Sequence, residues 1–447
     1  MSNSFWLADP RVLECRDDEV IKAIEFFISV VDGIAWSRRI EIVKNKFETK
    51  RHEWSIGDFA TQFTPREQID WYIFQAIAYA NPEERHNWFE PEAFRVAPVF
   101  RRIGQLVPHL KKIGGIMDRV DAMMRSGQVK ADDALFELLV AGAYKVRNWP
   151  DVHFHPEGRT KSHDLFVERD RLKWAVECKR INRSGDGYEA KEYRCAQTLA
   201  APVHRLCKTK KCSLALNVGY EIELSEVPEE YLVEKVEAFL KNPSLFHWAD
   251  SISNGFIQNI DLTVIHAILE RDDVFFGSSR MIELLVGNHE PDMDYSLAAD
   301  WEPSRERQLF ATDLDQASIV GWMSVSSQAQ LGKVRHFKTV VSRACEQLPE
   351  DFPAVIHVGY ESIGGTCVDE IRHRLNCAEM RNFDPKSKKL KWVYGNYLRP
   401  EHTNSRNEAC AMSETTAPYM VGNHVTPPPL ANHLLLSNEG GVAGAHW

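Results

Sequence analysis

No apolar run in the 447 residues approaches the ~20 needed to cross a bilayer, so no membrane-spanning helix is expected. The opening stretch, MSNSFWLADPRVLECRDDEV, has neither a basic n-region nor an apolar h-region, which excludes a secretory signal. Cysteine is sparse and odd in number. Nine residues without framework spacing predict reduced thiols and a cytoplasmic protein. Cys207 and Cys212 form one close pair, but no second pair follows to complete a zinc site. A GxxxxGK[ST] phosphate loop, a GxSxG elbow and an HExxH pair are all missing, which sets aside an ATP motor, a serine hydrolase and a zinc protease. The fragment Leu284–Glu290, LLVGNHE, and Asp151 with His153 match two parts of a metallophosphoesterase site by letter. The third part, GDxxD, is absent, so His289 is read as part of a turn after a buried segment.

What is present is ordinary in bulk and uneven in detail. Hydrophobic residues make up 44% and charged residues 26%, enough for two or three domains with a substantial core. Ser162–Arg180, SHDLFVERDRLKWAVECKR, holds two short apolar runs, Leu165–Val167 and Leu172–Val176, around the charged turn Glu168–Asp170. That pattern predicts a β-hairpin. Side chains alternate along a strand, so Glu177 and Lys179 share one face while Cys178 takes the other. Asp164, at the mouth of the first strand, is placed to converge on them. Two carboxylates beside a lysine suit a hard divalent cation, which is held by one or two carboxylates with waters and substrate oxygens completing its shell.

Asp164, then Glu177-x-Lys179 on the paired strand, resembles the PD-(D/E)xK, or restriction-endonuclease-like, nuclease superfamily. His163 stands where the family name has proline. The resemblance implies an α/β fold with a mixed-sheet core in the order α-β-β-β-α-β. Asp132–Tyr144 is then the first helix, with Glu137 as a further acidic residue of the metal site. Val152–His155 is the first strand, and the hairpin supplies the next two. Glu189–Cys207 is the following helix, and Cys212–Tyr220 is the closing strand. An internal echo leaves a second arrangement open, because NVGYE (Asn217–Glu221) recurs as HVGYE (His357–Glu361). Phe337–Leu348 and Pro353–Tyr360 could instead be the final helix and strand, with residues 222–335 inserted.

The net charge of −10 argues against a protein that coats nucleic acid, but Lys161–Lys211 holds 13 Lys/Arg against 7 Asp/Glu. A basic module around an acidic metal site fits a phosphodiester substrate. Arg180, Arg183, Arg194, Lys208, Lys210 and Lys211 are the residues expected near phosphates. Elsewhere, residues 1–130 predict an accessory helical domain dense in aromatics, and 131–221 the nuclease-like core. Residues 222–400 predict an α+β extension that could complete the core sheet. Ile260–Leu269 and Ser279–Leu285 are expected as strands or buried segments, Pro243–Asn254 as a loop or short helix, and Lys388–Tyr397 as a strand. Residues 401–447 are expected to be irregular and partly disordered.

The functional expectation is a Mg²⁺- or Mn²⁺-dependent deoxyribonuclease, set in restriction or defence against foreign DNA. Asp164 and Glu177 would bind the metal with Glu137 in support, and Lys179 would orient the attacking water. RNA remains open as a substrate, and a homodimer or a partner subunit remains open as an assembly. The alternative is a nucleic-acid-binding or scaffold protein that keeps the fold without turnover.

Overall fold

The computed structural model describes residues 16–55, 63–64, 67–125, 130–156, 162–181, 187–242, 246–290, 292–305, 307–361, 365–401 and 411–439. Helix α1 (Asp18–Ile28) starts where the Asp17 side chain accepts from the Val20 amide at 3.1 Å. This satisfies one of the donors that every helix start leaves orphaned. Four more helices follow: α2 (Gly33–Ser55), α3 (Gln68–Ala80), α4 (Glu90–Leu110) and α5 (Ile116–Arg125). The N-terminal region is thus helical, as its periodicity predicts. Helix α6 (Ala131–Val146) leads into β1 (Asp151–Phe154), β2 (Leu165–Arg169) and β3 (Leu172–Ile181). Next come α7 (Tyr188–Lys210), β4 (Leu214–Tyr220), α8 (Tyr231–Lys241), β5 (Phe246–Ala249) and β6 (Ser253–Asn259). They are followed by α9 (Thr263–Leu269), β7 (Val274–Phe275), α10 (Ser279–Val286), β8 (Asp294–Pro303) and β9 (Phe310–Ser324). The last elements are α11 (Ser327–Cys345), β10 (Ala354–Glu361), α12 (Gly365–Arg381), β11 (Leu390–Glu401) and β12 (Ala411–Met420). Among the described residues no helix is long and apolar enough to cross a membrane.

The strands form two mixed six-stranded sheets, which makes the class α/β. The first runs β1-β2-β3-β10-β11-β12. The second runs β5-β6-β4-β9-β7, with β8 lying along β9. One apolar core spans α1 to α6 and one face of the first sheet, including Val176, Cys178 and Val355. The opposite face packs Ala175, Ala354 and Ile356 against Phe337 and Val341 of α11.

The neighbour of β3 corrects the first of the two expected arrangements. Cys212–Tyr220 does form a strand, but β4 pairs with β6 and β9 in the second sheet. β10 lies parallel to β3 instead, Ala354 beside Ala175 and Val358 beside Lys179. The two strands share Val-Gly-Tyr, and the residue before it meets different partners in each. His357 on β10 hydrogen-bonds Tyr144 of α6 at 3.2 Å and Asn396 of β11 at 3.2 Å. Asn217 on β4 lies over Gly321 of β9, where a β-carbon would come within 2.5 Å of its side-chain oxygen.

Three further stretches differ in part from expectation. Ile260–Leu269 and Ser279–Leu285 are largely helical rather than strands, although Ser279–Leu285 is buried as the other expected option has it; its helix is capped by the Ser278 hydroxyl, which accepts from the Met281 amide. Short apolar runs do not distinguish a buried helix from a strand. Pro243–Asn254 holds β5 and the start of β6, although 243–245 lie outside the described residues. The expected irregular tail is strand β12 over 411–420, and the segment after it docks on the core. Leu430 and Leu435 are buried, and the Arg102 guanidinium donates to the Leu435 carbonyl at 2.8 Å. Backbone and polar contacts hold this segment, so its polar composition concealed it.

Candidate active site

Helix α6 has acidic residues in its first turn and Lys145 in its last, which complements the helix dipole. It is buried almost throughout, so Glu137 in its middle is buried too. The β2–β3 hairpin turns on two residues, Asp170 and Arg171, both at positive φ. A two-residue turn of this kind matches strand twist and fixes the register, Leu165 opposite Val176. That register brings Asp164 level with the end of β3.

Asp164 is anchored through its backbone, its amide donating to the Val176 carbonyl at 3.2 Å. One carboxylate oxygen accepts from the Cys178 amide at 2.7 Å. Its carboxylate lies near enough to that of Glu177 for each to affect the other's titration. Glu177 is fully buried, and its Oε1 accepts from the Lys179 ammonium. Its Oε2 is buried with no hydrogen-bond partner. Lys179, 30% exposed, is the part of this trio that faces solvent.

The electrostatics follow from crowding. Burial, then the charge of Asp164, pushes the Glu177 carboxyl well up. Burial also raises Asp164, against the pull of Lys179 and the Cys178 amide. Burial would lower Lys179, but the two carboxylates outweigh it and raise the ammonium. Two carboxylates this close do not both carry charge in a dry site unless a cation joins them. The donor set, with one orphaned Glu177 oxygen, therefore fits a hard divalent cation held by Asp164 and Glu177.

Glu137 is placed differently. The Arg119 guanidinium of α5 grips both its oxygens. Burial, then the charge of Asp164, outweighs that guanidinium and pushes Glu137 up to about 8. Glu137 thus feels the site electrostatically while its oxygens are engaged by Arg119. Among the described residues no three His, Cys, Asp or Glu side chains converge as a ready-made metal group.

The basic residues do not gather around this trio. Arg180 donates to Glu361 Oε1 at 2.7 Å, and that oxygen also accepts from Arg95 at 2.7 Å. Arg95 reaches Asp132 at 2.8 Å as well, so a part-buried ion network joins α4, α6, β3 and β10. Arg183 lies outside the described residues. Arg194 lines a cleft on α7 with Glu223 and Val227, on the side of the second sheet. Lys208 pairs with Asp300 at 2.8 Å, and Lys210 and Lys211 are exposed at the far end of α7. At 1.5 Å per residue they stand roughly 30 Å along the helix from its start. His289 contacts Tyr295 beside the second sheet, whereas Asp151 and His153 are on β1 of the first. The metallophosphoesterase fragments therefore sit on different sheets.

Arg119, Arg95 and Glu361 escaped the sequence reading. Glu361 closes the HVGYE echo, a signal that could have found it, but nothing in the sequence marks Arg119 or Arg95. Their roles come from partners distant in the chain. Compared with family models, curated proteins and solved structures, the chain matches none.

Proposed function

We propose that the chain is a metal-dependent nuclease that hydrolyses DNA phosphodiester bonds, in the manner of the PD-(D/E)xK proteins it resembles. The observation that carries this reading is the contact of Asp164 with buried Glu177 beside Lys179, with one Glu177 oxygen unpartnered. The first sheet supports it. Taken from α6, the elements of that sheet begin α6, β1, β2, β3, α11 and β10, the order α-β-β-β-α-β, with residues 182–326 between β3 and α11, and continue with α12, β11 and β12.

Asp164 and Glu177 would hold Mg²⁺ or Mn²⁺. The chemistry such an ion supplies when bound is stabilisation of charge developing on the phosphoryl oxygens. Lys179, the exposed member, orients the attacking water and offsets negative charge on the phosphate. Glu137, held by Arg119, sets the field at Asp164. Restriction or defence against foreign DNA is the setting the resemblance suggests.

The test is cleavage of plasmid and linear DNA with Mg²⁺ or Mn²⁺, comparing wild type, Asp164→Ala and Lys179→Ala, with RNA as a parallel substrate. Loss of cleavage in both variants, with folding intact, supports the site. Equal cleavage by all three sinks it. A folded wild type that neither cleaves nor binds Mn²⁺ would favour the non-catalytic binding or scaffold reading.

A further inference from the structure

The two sheets are built alike. Glu137-Leu138-Leu139-Val140 of α6 recurs as Glu283-Leu284-Leu285-Val286 of α10, and Val218–Glu221 recurs as Val358–Glu361. Apart from β1, which has no counterpart in the second half, both halves run helix, hairpin, helix, strand: α6, β2–β3, α7, β4 in one and α10, β8–β9, α11, β10 in the other. The registers agree. Matching the two VGYE strands brings Leu214 onto Ala354, whose parallel partners are Ser318 and Ala175. One step further, Ile319 stands opposite Leu297 on β8, as Val176 stands opposite Leu165 on β2. The packing agrees too. Helix α6 shares a core with Val176 and Val355, and α10 packs Met281, Leu284 and Leu285 with Ile319 and Ala215, the matching positions.

The final arms have changed places. After β3 the chain leaves the first sheet, and α7 covers the second sheet's Val320 and Trp322 while β4 pairs with β9. After β9 it returns, and α11 covers Ala175 and Ile356 of the first sheet while β10 pairs with β3. The two arms meet where they cross. Lys333 of α11 pairs with Glu192 of α7 at 2.6 Å, and His336 with Glu189 at 2.7 Å. Reciprocal exchange of identical elements normally joins two protomers. Here both partners lie in one chain.

The same matching compares the two sites. Asp164 falls on Ser296, Glu177 on Val320 and Lys179 on Trp322, while Glu137 falls on Glu283. Only the helix glutamate is kept. The Ser296 hydroxyl bonds Gln197 at 3.1 Å and His204 at 3.0 Å, and Val320 and Trp322 are buried in the core under α7. Among the described residues, the places that match Asp164 and Glu177 therefore carry no carboxylate.

We propose that the chain is an internal pseudodimer whose second lobe, built on the second sheet, takes the place of a second copy and holds no metal, so that one molecule breaks one DNA strand per encounter. This rests on the nuclease reading of the first lobe. Two measurements on the full chain test it. Calorimetric titration with Mn²⁺ should show binding that is lost in Asp164→Asn and unchanged in Glu283→Gln. Binding that survives Asp164→Asn but is lost in Glu283→Gln would place a second centre and overturn the proposal. Supercoiled plasmid should pass to open circles at a rate linear in protein, with linear DNA appearing only after nicks accumulate, and light scattering should give a monomer near 51.3 kDa. Direct linearisation, or a rate rising with the square of protein concentration, overturns the pseudodimer while leaving the nuclease standing. A wild type that neither binds Mn²⁺ nor cuts overturns both, and the fault then lies in the first-lobe site.

Discussion

Glu177 owes its chemistry to burial. Burial, then the charge of Asp164, raises its carboxyl against the pull of Lys179. Lys179→Ala should therefore slow DNA cleavage by about 10²–10⁴-fold while Mn²⁺ binding persists, as read by steady-state rates and titration on one preparation. Equal loss of both would instead make Lys179 part of the cation's support. Arg119 and Glu137 form the neighbouring buried pair, 15% and 5% exposed. Because Glu137 is pushed up to about 8, Arg119→Met leaves it a protonated, unpartnered carboxyl at pH 7 and should cost about 1–3 kcal/mol in urea unfolding. A cost above ~3 kcal/mol would mean that Glu137 is ionised in the folded protein. Glu177 and Lys179 were legible because strand alternation is local. The Arg119 clamp was not, since the sequence over the 18 positions that separate it from Glu137 carries no pattern that aims one at the other.

At the scale of elements, the contact of α7 with α11 buries an ion pair, Lys333 with Glu192. Burial raises the Glu192 carboxyl against the pull of Lys333, and lowers the Lys333 ammonium against the pull of Glu192. Desolvation wins on both sides, so the pair specifies how the arms cross more than it stabilises them. Lys333→Met alone should destabilise by about 3–5 kcal/mol, whereas Lys333→Met with Glu192→Leu should return near wild type, as a double-mutant cycle measures. A double variant as damaged as the single one would show that the pair does stabilise the crossing. The helices and strands involved were visible from their periodicity. Their partners were not, because an apolar strand face fits either sheet until His357 or Asn217 meets its own neighbour.

The whole molecule answers to pH and denaturant as one body. Burial lowers His357 to about 3, and His163 and His204 to about 4, from an ordinary 6.5. The unfolded chain binds these protons first, so this contribution to stability is intact above pH 6.5 and is lost as pH falls toward the folded values. His357→Asn, which copies the residue at the matching place in β4, should flatten the acid limb of a stability-against-pH curve. An unchanged limb would move the acid sensitivity to other groups. Exchanged arms also tie each sheet to the other, so urea should unfold the chain in one transition, with intrinsic tryptophan fluorescence and far-UV dichroism coinciding. Two separated transitions would mean that each lobe stands without its borrowed strand.

Local pattern by itself determined the hairpin and the shared face of Glu177 and Lys179, since both depend on a period of two residues; the resemblance implied the α/β class, and the echo of NVGYE in HVGYE stands in the letters alone. Tertiary structure decided which echo lies beside β3, that Arg119 engages Glu137, and that residues 411–439 close the first sheet and its core. Those choices turn on buried polar partners far apart in the chain, where a single unpaired group costs more than any local preference supplies.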